Sequence, residues 1–152
     1  MFQIRFANEE DHSSIVGFQL RMAKETENLE LDRKTVDLGV MHIMRNPQKG
    51  KYLVATIDEK IVASLMLTPE WSDWRNRCVL WFQSVYVIPE ARGKGVFRKM
   101  YTHVKQKMVL EDELNAGLRL YVDAHNKQAI EVYNKLGMDG DHYRVFEWMK
   151  PV

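Results

Sequence analysis

Val85-Tyr86-Val87-Ile88-Pro89-Glu90-Ala91-Arg92-Gly93-Lys94-Gly95-Val96-Phe97 decides the reading of this chain: an apolar strand stops at a proline and opens through two glycines into a helix. Gly93 and Gly95 let the backbone come close to a ligand, and the amides that begin a helix have no carbonyl partner inside it. Those donors, with the positive end of the helix dipole, suit a phosphate or pyrophosphate. Arg92, Lys94, Arg98 and Lys99 add positive charge at the same end, so backbone and side chains would hold an anion together. The stretch therefore predicts a phosphorylated ligand.

Two familiar phosphate binders do not fit. The dinucleotide fingerprint G-x-G-x-x-G would need a glycine where Arg98 stands, and the Walker loop G-x-x-x-x-G-K-[ST] is missing. The segment instead resembles motif A of the GCN5-related N-acetyltransferases (the GNAT superfamily), [QR]-x-x-G-x-[GA] after a strand ending in V-x-P. Arg92, Gly93, Lys94, Gly95 and Val96 fit the first five places, and Phe97 departs at the sixth, where that family has Gly or Ala.

A second block, Asn126 to Met138, resembles motif B of the same superfamily, N-x-x-A-x-x-x-Y-x-x-x-G-[FM], through Asn126, Ala129, Tyr133, Gly137 and Met138. Read from the residues alone, Ala129, Ile130, Tyr133 and Leu136 form one helical face between an N-cap at Asn126 and a C-cap at Gly137, which makes Tyr133 a core tyrosine. The two blocks stand in the family's order, separated by one helix and one strand.

The remainder of the chain is consistent with one compact domain spanning 1–152. Its 152 residues suffice for an ordinary core, and no linker, repeat or low-complexity tract divides them. Twenty-two basic against 21 acidic residues leave a net charge of +1, too little surplus to favour nucleic acid. The single cysteine, Cys78, excludes an internal disulfide, and His103 and His125 lack metal-ligand spacing, so no metal is expected. No apolar run is long enough for a signal peptide or a bilayer span, and a cytoplasmic protein is the expectation.

Hydrophobic periodicity predicts a first strand at Gln3–Phe6, a helix capped by Asn8, and a second helix from Asp32 to Asn46-Pro47. Strands follow at Lys51–Ile57, Lys60–Thr68 and Cys78–Val87, the last two joined by a loop of residues 69–77. A helix then buries Phe97, Met100, Tyr101, Val104 and Met108, ahead of a strand at Leu118–Asp123, the motif B helix and a last strand at His142–Met149. This β-α-α-β-β-β-α-β-α-β order is a mixed α/β (α+β) chain like the GNAT fold, so the resemblance spans nearly the whole sequence. It implies a central, mostly antiparallel twisted sheet with one splayed parallel pair and flanking helices.

The resemblance also implies the chemistry. Acetyl-CoA would lie with its pantetheine arm along the backbone of Val85, Tyr86 and Val87 and its pyrophosphate on the amides from Arg92 to Phe97, with Asn126 touching the pantetheine side. A backbone amide near Val85–Val87 would serve as oxyanion donor, and Tyr133 would protonate the departing thiolate. Acyl transfer also needs a neutral amine. Glu25 and Glu27, placed between the first two helices, and Glu70 and Asp73, in the Trp-rich loop, are the carboxylates in line for that base, with water as the alternative. Trp71 and Trp74 around Asp73 could hold a cationic amine. The expected activity is N-acetylation of a primary amine on a small molecule or peptide. The alternative is an acyl-CoA-binding module that performs no transfer. The Trp-rich segment and the apolar last strand permit a homodimer.

Overall fold

The computed structural model describes residues Met1–Val152, which divide into two compact units, Met1–Arg119 and Leu120–Val152. The first unit is built on a five-stranded sheet ordered β1 (Phe2–Phe6), β2 (Lys51–Ile57), β3 (Lys60–Ser72), β4 (Arg77–Val87) and β5 (Asn115–Arg119). The first four strands pair antiparallel with their neighbours, and β4 pairs parallel with β5.

Two helices enter between β1 and β2. Asn8 begins the first through a capping box: its side chain accepts from Glu10 N while Asp11 accepts from Asn8 N, and Asp11 is further held by Arg5 at 2.6 Å. After this short 3-10 turn comes α1 (His12–Glu27), closed by Asn28 in the left-handed conformation. Asp32 caps α2 (Arg33–Arg45) through Thr35 N, and the helix ends before Pro47. Ile15, Val16 and Val40 of these helices pack on Tyr52 and Val54 of β2, with Met66 at the margin. Burial there pushes the Tyr52 phenol up to about 12, a property of the core.

The other sheet face is covered by α3 (Val96–Val104), whose Val96, Met100, Tyr101 and Val104 are buried. Tyr101 and Phe97 lie against Phe82 of β4, with ring centroids 5.8 and 6.3 Å away. With both faces covered, β2 is buried continuously from Tyr52 to Thr56 and does not alternate. The second unit carries α4 (Lys127–Lys135), capped by Asn126 and followed by Gly137 at φ 85°.

Four details depart from the sequence reading. The third strand runs on through the expected loop to Ser72, because residues 69–72 pair with 77–80 and leave only a tight turn at the tip. The α3 helix widens into a π turn over Lys105–Leu110, which carries Met108. The fifth strand starts and stops earlier than Leu118–Asp123, since its ladder to β4 begins at Asn115 and ends at Arg119. Finally, His142–Met149 is not a strand. It pairs with no other segment, and its apolar residues Val145, Phe146, Trp148 and Met149 are exposed. An apolar pattern without a ladder leaves the backbone groups to water.

Candidate active site

The β4–β5 ladder runs from Cys78↔Asn115 to Trp81↔Arg119 and stops there. Beyond Trp81, β4 continues for six residues with β3 on one edge, as far as Val87↔Ala63, and no β5 on the other. An open backbone edge of this kind can take the amides of a ligand as an added strand would. Three residues beyond Trp81, β4 bulges: opposite the single Leu65 lie Ser84 and Val85, and Ser84 sits at φ 52°. The extra residue resets the alternation, so Gln83 and Tyr86 face the same side, toward α1 and α2.

After Val87 the chain makes one 3-10 turn, in which Ala91 N donates to Ile88 O and Arg92 N to Pro89 O. Gly93 and Gly95 follow at φ 72° and 74°, the left-handed region that glycine enters without strain, and a Cβ at either would meet no protein atom within 4 Å. The cradle is therefore open, and the first hydrogen bond of α3 runs from Lys99 N to Gly95 O at 3.0 Å. The amides ahead of Lys99 are the first-turn donors that a helix cannot use itself. Phe97 turns its ring onto Phe82 and Tyr101, toward the sheet, so the bulk that departs from the family pattern is taken up by the core. Lys94 and Arg98 stand exposed at this end in no ion pair, while Lys99 lies over the Phe2 ring at 4.6 Å. Fully open for an anion, the turn fits the phosphates of CoA.

Arg92 braces this loop. Its Nε donates to Val87 O at 2.8 Å, its terminal nitrogen donates to Glu25 Oε2 at 2.7 Å, and the guanidinium lies 5.4 Å from the Tyr86 ring. The Tyr86 hydroxyl donates to Glu25 Oε1 at 2.9 Å. Glu25 is thus the last-turn residue of α1 that ties the helix to both β4 and the glycine turn. The Arg92 guanidinium, and then the Tyr86 hydroxyl, hold its carboxyl below the ordinary value. Glu27 also lies in α1, rather than between the helices, and is exposed.

On the α1 side of the sheet, register sets Glu70↔Val79, Thr68↔Trp81 and Trp81↔Arg119 next to one another. Arg119 reaches across β4 to form an ion pair with Glu70, and Gln83 donates to Thr68 Oγ1 at 2.5 Å. Trp71 projects from the opposite face, and Trp74 occupies the hairpin turn; both are open to solvent, at 62% and 91% exposure. Asp73 accepts from Trp74 N and so shapes that turn.

In the second unit Asn126 Oδ1 accepts from Ala129 N at 3.1 Å. Ala129, Ile130, Tyr133 and Leu136 form the half-buried face that the helical spacing predicts, and Met138 beyond the helix is half-buried too. Burial raises the Tyr133 phenol above its ordinary value, which keeps it protonated across neutral pH.

Residues 12–138 match the Acetyltransferase (GNAT) family. The chain belongs to that family. It is an acetyl-CoA-dependent N-acetyltransferase acting on an amine. A possible acetyltransferase from Clostridium difficile 630 is 39% identical, with a TM-score of 0.92 over 100% of this chain and 99% of its own. The S-alkylcysteine N-acetyltransferase of Bacillus subtilis (strain 168) is 24% identical over 151 residues, covering 90% of this chain and 83% of its own. A predicted acetyltransferase from Clostridium acetobutylicum, determined with acetyl-CoA, shares the fold at 19% identity and a TM-score of 0.74, over 97% and 96% of the two chains.

Two features of this GNAT chain escape a sequence reading: the Arg119 partner of Glu70, and the side-chain role of Tyr86 toward Glu25. Arg119 alternates as an ordinary strand residue, and only the lateral register of three strands brings it to Glu70. No helix is long and apolar enough to cross a membrane.

Proposed function

We propose that residues 1–152 act as one catalytic domain, since the family match over residues 12–138 extends from the first unit into the second, and that the acetyl acceptor is a small primary amine. The observation that carries the donor half is the open edge of β4 leading directly into the glycine turn and α3. Val85, Tyr86 and Val87 offer backbone groups to the pantetheine amides, and an amide of this stretch supports charge developing on the thioester oxygen. Gly93 to Phe97 and the charges of Lys94 and Arg98 take the phosphates, while Arg92 works as a strut behind them. Asn126 spends its side-chain oxygen on capping and keeps its amide nitrogen for the cofactor. Acetyl-CoA supplies the acetyl group: a C–N bond to the amine forms, the thioester C–S bond breaks, and the products are an acetamide and the free thiol. Tyr133 donates the proton that the thiolate takes, and recovers one from solvent.

Among the carboxylates, Glu70 suits the amine proton best, because it lies on the sheet face beside the opening slot. Glu25 is held ionised by two donors and acts by positioning Arg92. Glu27 and Asp73 remain surface groups in this scheme. Trp71 and Trp74 form an outer contact that only an acceptor larger than a free amino acid reaches. The Bacillus subtilis relative is an S-alkylcysteine N-acetyltransferase, which supports a small acceptor over a protein terminus or lysine. The enzyme would work in the cytoplasm and need no metal, nucleic acid or membrane. Calorimetric titration with acetyl-CoA tests it: saturable binding is expected, and no heat at millimolar cofactor would sink it.

A further inference from the structure

We infer that Glu70 and Arg119 form an acceptor-reading pair, and that the acceptor is a free α-amino acid, its carboxylate on Arg119 and its amino group on Glu70. This rests on the acetyl-transfer reading and adds the class of acceptor.

Position comes first. Arg119 is the last residue of β5 still paired with β4, so it stands where the two strands begin to part. The α3 side of that point is filled, with Leu80 and Phe82 buried and Phe82 stacked among Phe97 and Tyr101. A second substrate therefore comes from the opposite face. There β3 presents Met66, Thr68 and Glu70, β4 presents Trp81 and Gln83, and β5 presents Arg119, all of them partly exposed. Side chains on the central strands of a two-faced sheet are ordinarily covered. Here α1 and α2 cover the neighbouring stretch, over Tyr52 and Val54, and leave this polar strip open.

The chemistry of the strip selects the ligand. The Glu70 and Arg119 side chains are 44% and 30% exposed, and an ion pair this open contributes little to stability. A zwitterion carries the same two charges within one small group. When it inserts, each member of the pair exchanges one partner for another: the guanidinium fork takes the carboxylate, Glu70 takes the ammonium, and no charge is left uncompensated. A simple amine would occupy Glu70 and offer the Arg119 guanidinium no carboxylate in exchange. Trp81 and Met66 line the same face and offer apolar surface to an amino-acid side chain. The ammonium then passes one proton to the Glu70 carboxylate, which releases it to solvent. The neutral nitrogen forms the C–N bond as the C–S bond of the thioester breaks; the nitrogen's second proton then leaves by the same carboxylate to solvent, and the thiolate takes its proton from Tyr133.

The test is a rate comparison by thiol release with L-phenylalanine, L-leucine and L-methionine against the matching amides and decarboxylated amines. At least one acid is expected to exceed its amide and amine roughly tenfold in kcat/KM. Arg119→Gln should raise KM for that acid roughly 10- to 100-fold, the range of a charged hydrogen bond, and bring the acid-to-amide ratio down toward one. Arg119→Lys should restore part of the ratio, and calorimetry with acetyl-CoA verifies that each variant still folds and binds the donor. Amides or amines equalling the acids would overturn the assignment, as would acids left unacetylated by protein that binds acetyl-CoA; in both cases the donor reading survives. Failure of the wild-type protein to bind acetyl-CoA would remove the donor reading, and this inference with it.

Discussion

Replacing Glu25 by alanine separates a positioning role from a catalytic one, and the structure sets the size of each effect. The Glu25–Arg92 pair is 39% and 47% exposed at its side chains, so after solvent screening its loss costs at most about 0.5 kcal/mol. Tyr86 is different, because it is 4% exposed and its hydroxyl would lose a charged acceptor, at about 1–2 kcal/mol. Together these give about 2 kcal/mol, which in a domain of this size lowers Tm by roughly 4–8 °C. Glu25→Gln keeps an acceptor for Tyr86 and should lose about half as much. Arg92 would then be held only by its bond to Val87 O and its contact with the Tyr86 ring, and re-ordering one such side chain on binding costs about 0.5–1.5 kcal/mol, a roughly two- to twelvefold rise in the acetyl-CoA Kd. The folded carboxyl is depressed below its ordinary 4.5. Its stabilisation is therefore complete above that value and fades as pH falls through the folded pKa, so the Tm gap between wild type and Glu25→Ala should be full at pH 7 and narrow below about pH 4.5. Differential scanning calorimetry and titration with CoA read both effects. An unchanged Kd would refute the strut, and a collapse of kcat with Kd intact would make Glu25 the base.

Three further outcomes are expected. Tyr133→Phe should keep acetyl-CoA affinity and lower kcat by about 100-fold, the lower range for a lost general acid. Because burial raises this phenol and the protonated form is the active one, wild-type kcat should hold up to about pH 10 and decline only above it. Gly95→Ala meets no neighbour within 4 Å but must hold φ at 74°, so Tm should fall a few degrees, for about 1–2 kcal/mol, while CoA affinity falls more than tenfold as the turn reshapes. Trp74→Ala, at a site 91% exposed, should leave Tm within about 2 °C and the KM for a free amino acid unchanged; a rise in that KM would place the hairpin tip in the acceptor site.

What the sequence made legible follows the range of the forces involved. Gly93 and Gly95 announce their turn because the need for positive φ is local to each residue, and Asn8, Asp32 and Asn126 cap their helices through partners two or three positions away. The β5 boundary and the last segment depart from the alternation in the sequence because a strand is defined by its neighbour. Leu118–Asp123 alternates well, yet the ladder to β4 covers Asn115–Arg119, and the apolar run at His142–Met149 finds no ladder at all. Glu25 was legible as a carboxylate near the site but not as a strut, since Arg92 lies 67 residues away.

The bulge at Ser84 and Val85 joins these observations. Without the extra residue, strict alternation would put Gln83 and Tyr86 on opposite faces, and Tyr86 could not reach Glu25 while Gln83 reached Thr68. With it, one face of β4 carries both the acceptor strip and the buried hydroxyl that anchors α1 to the glycine turn. The edge toward β5 is released just before it, beyond Trp81↔Arg119. Acceptor strip and loop brace therefore share a single backbone irregularity, which lies within the open edge of β4. Ser84 accordingly holds a φ of 52°, a cost that a regular strand would not carry and that the site geometry repays.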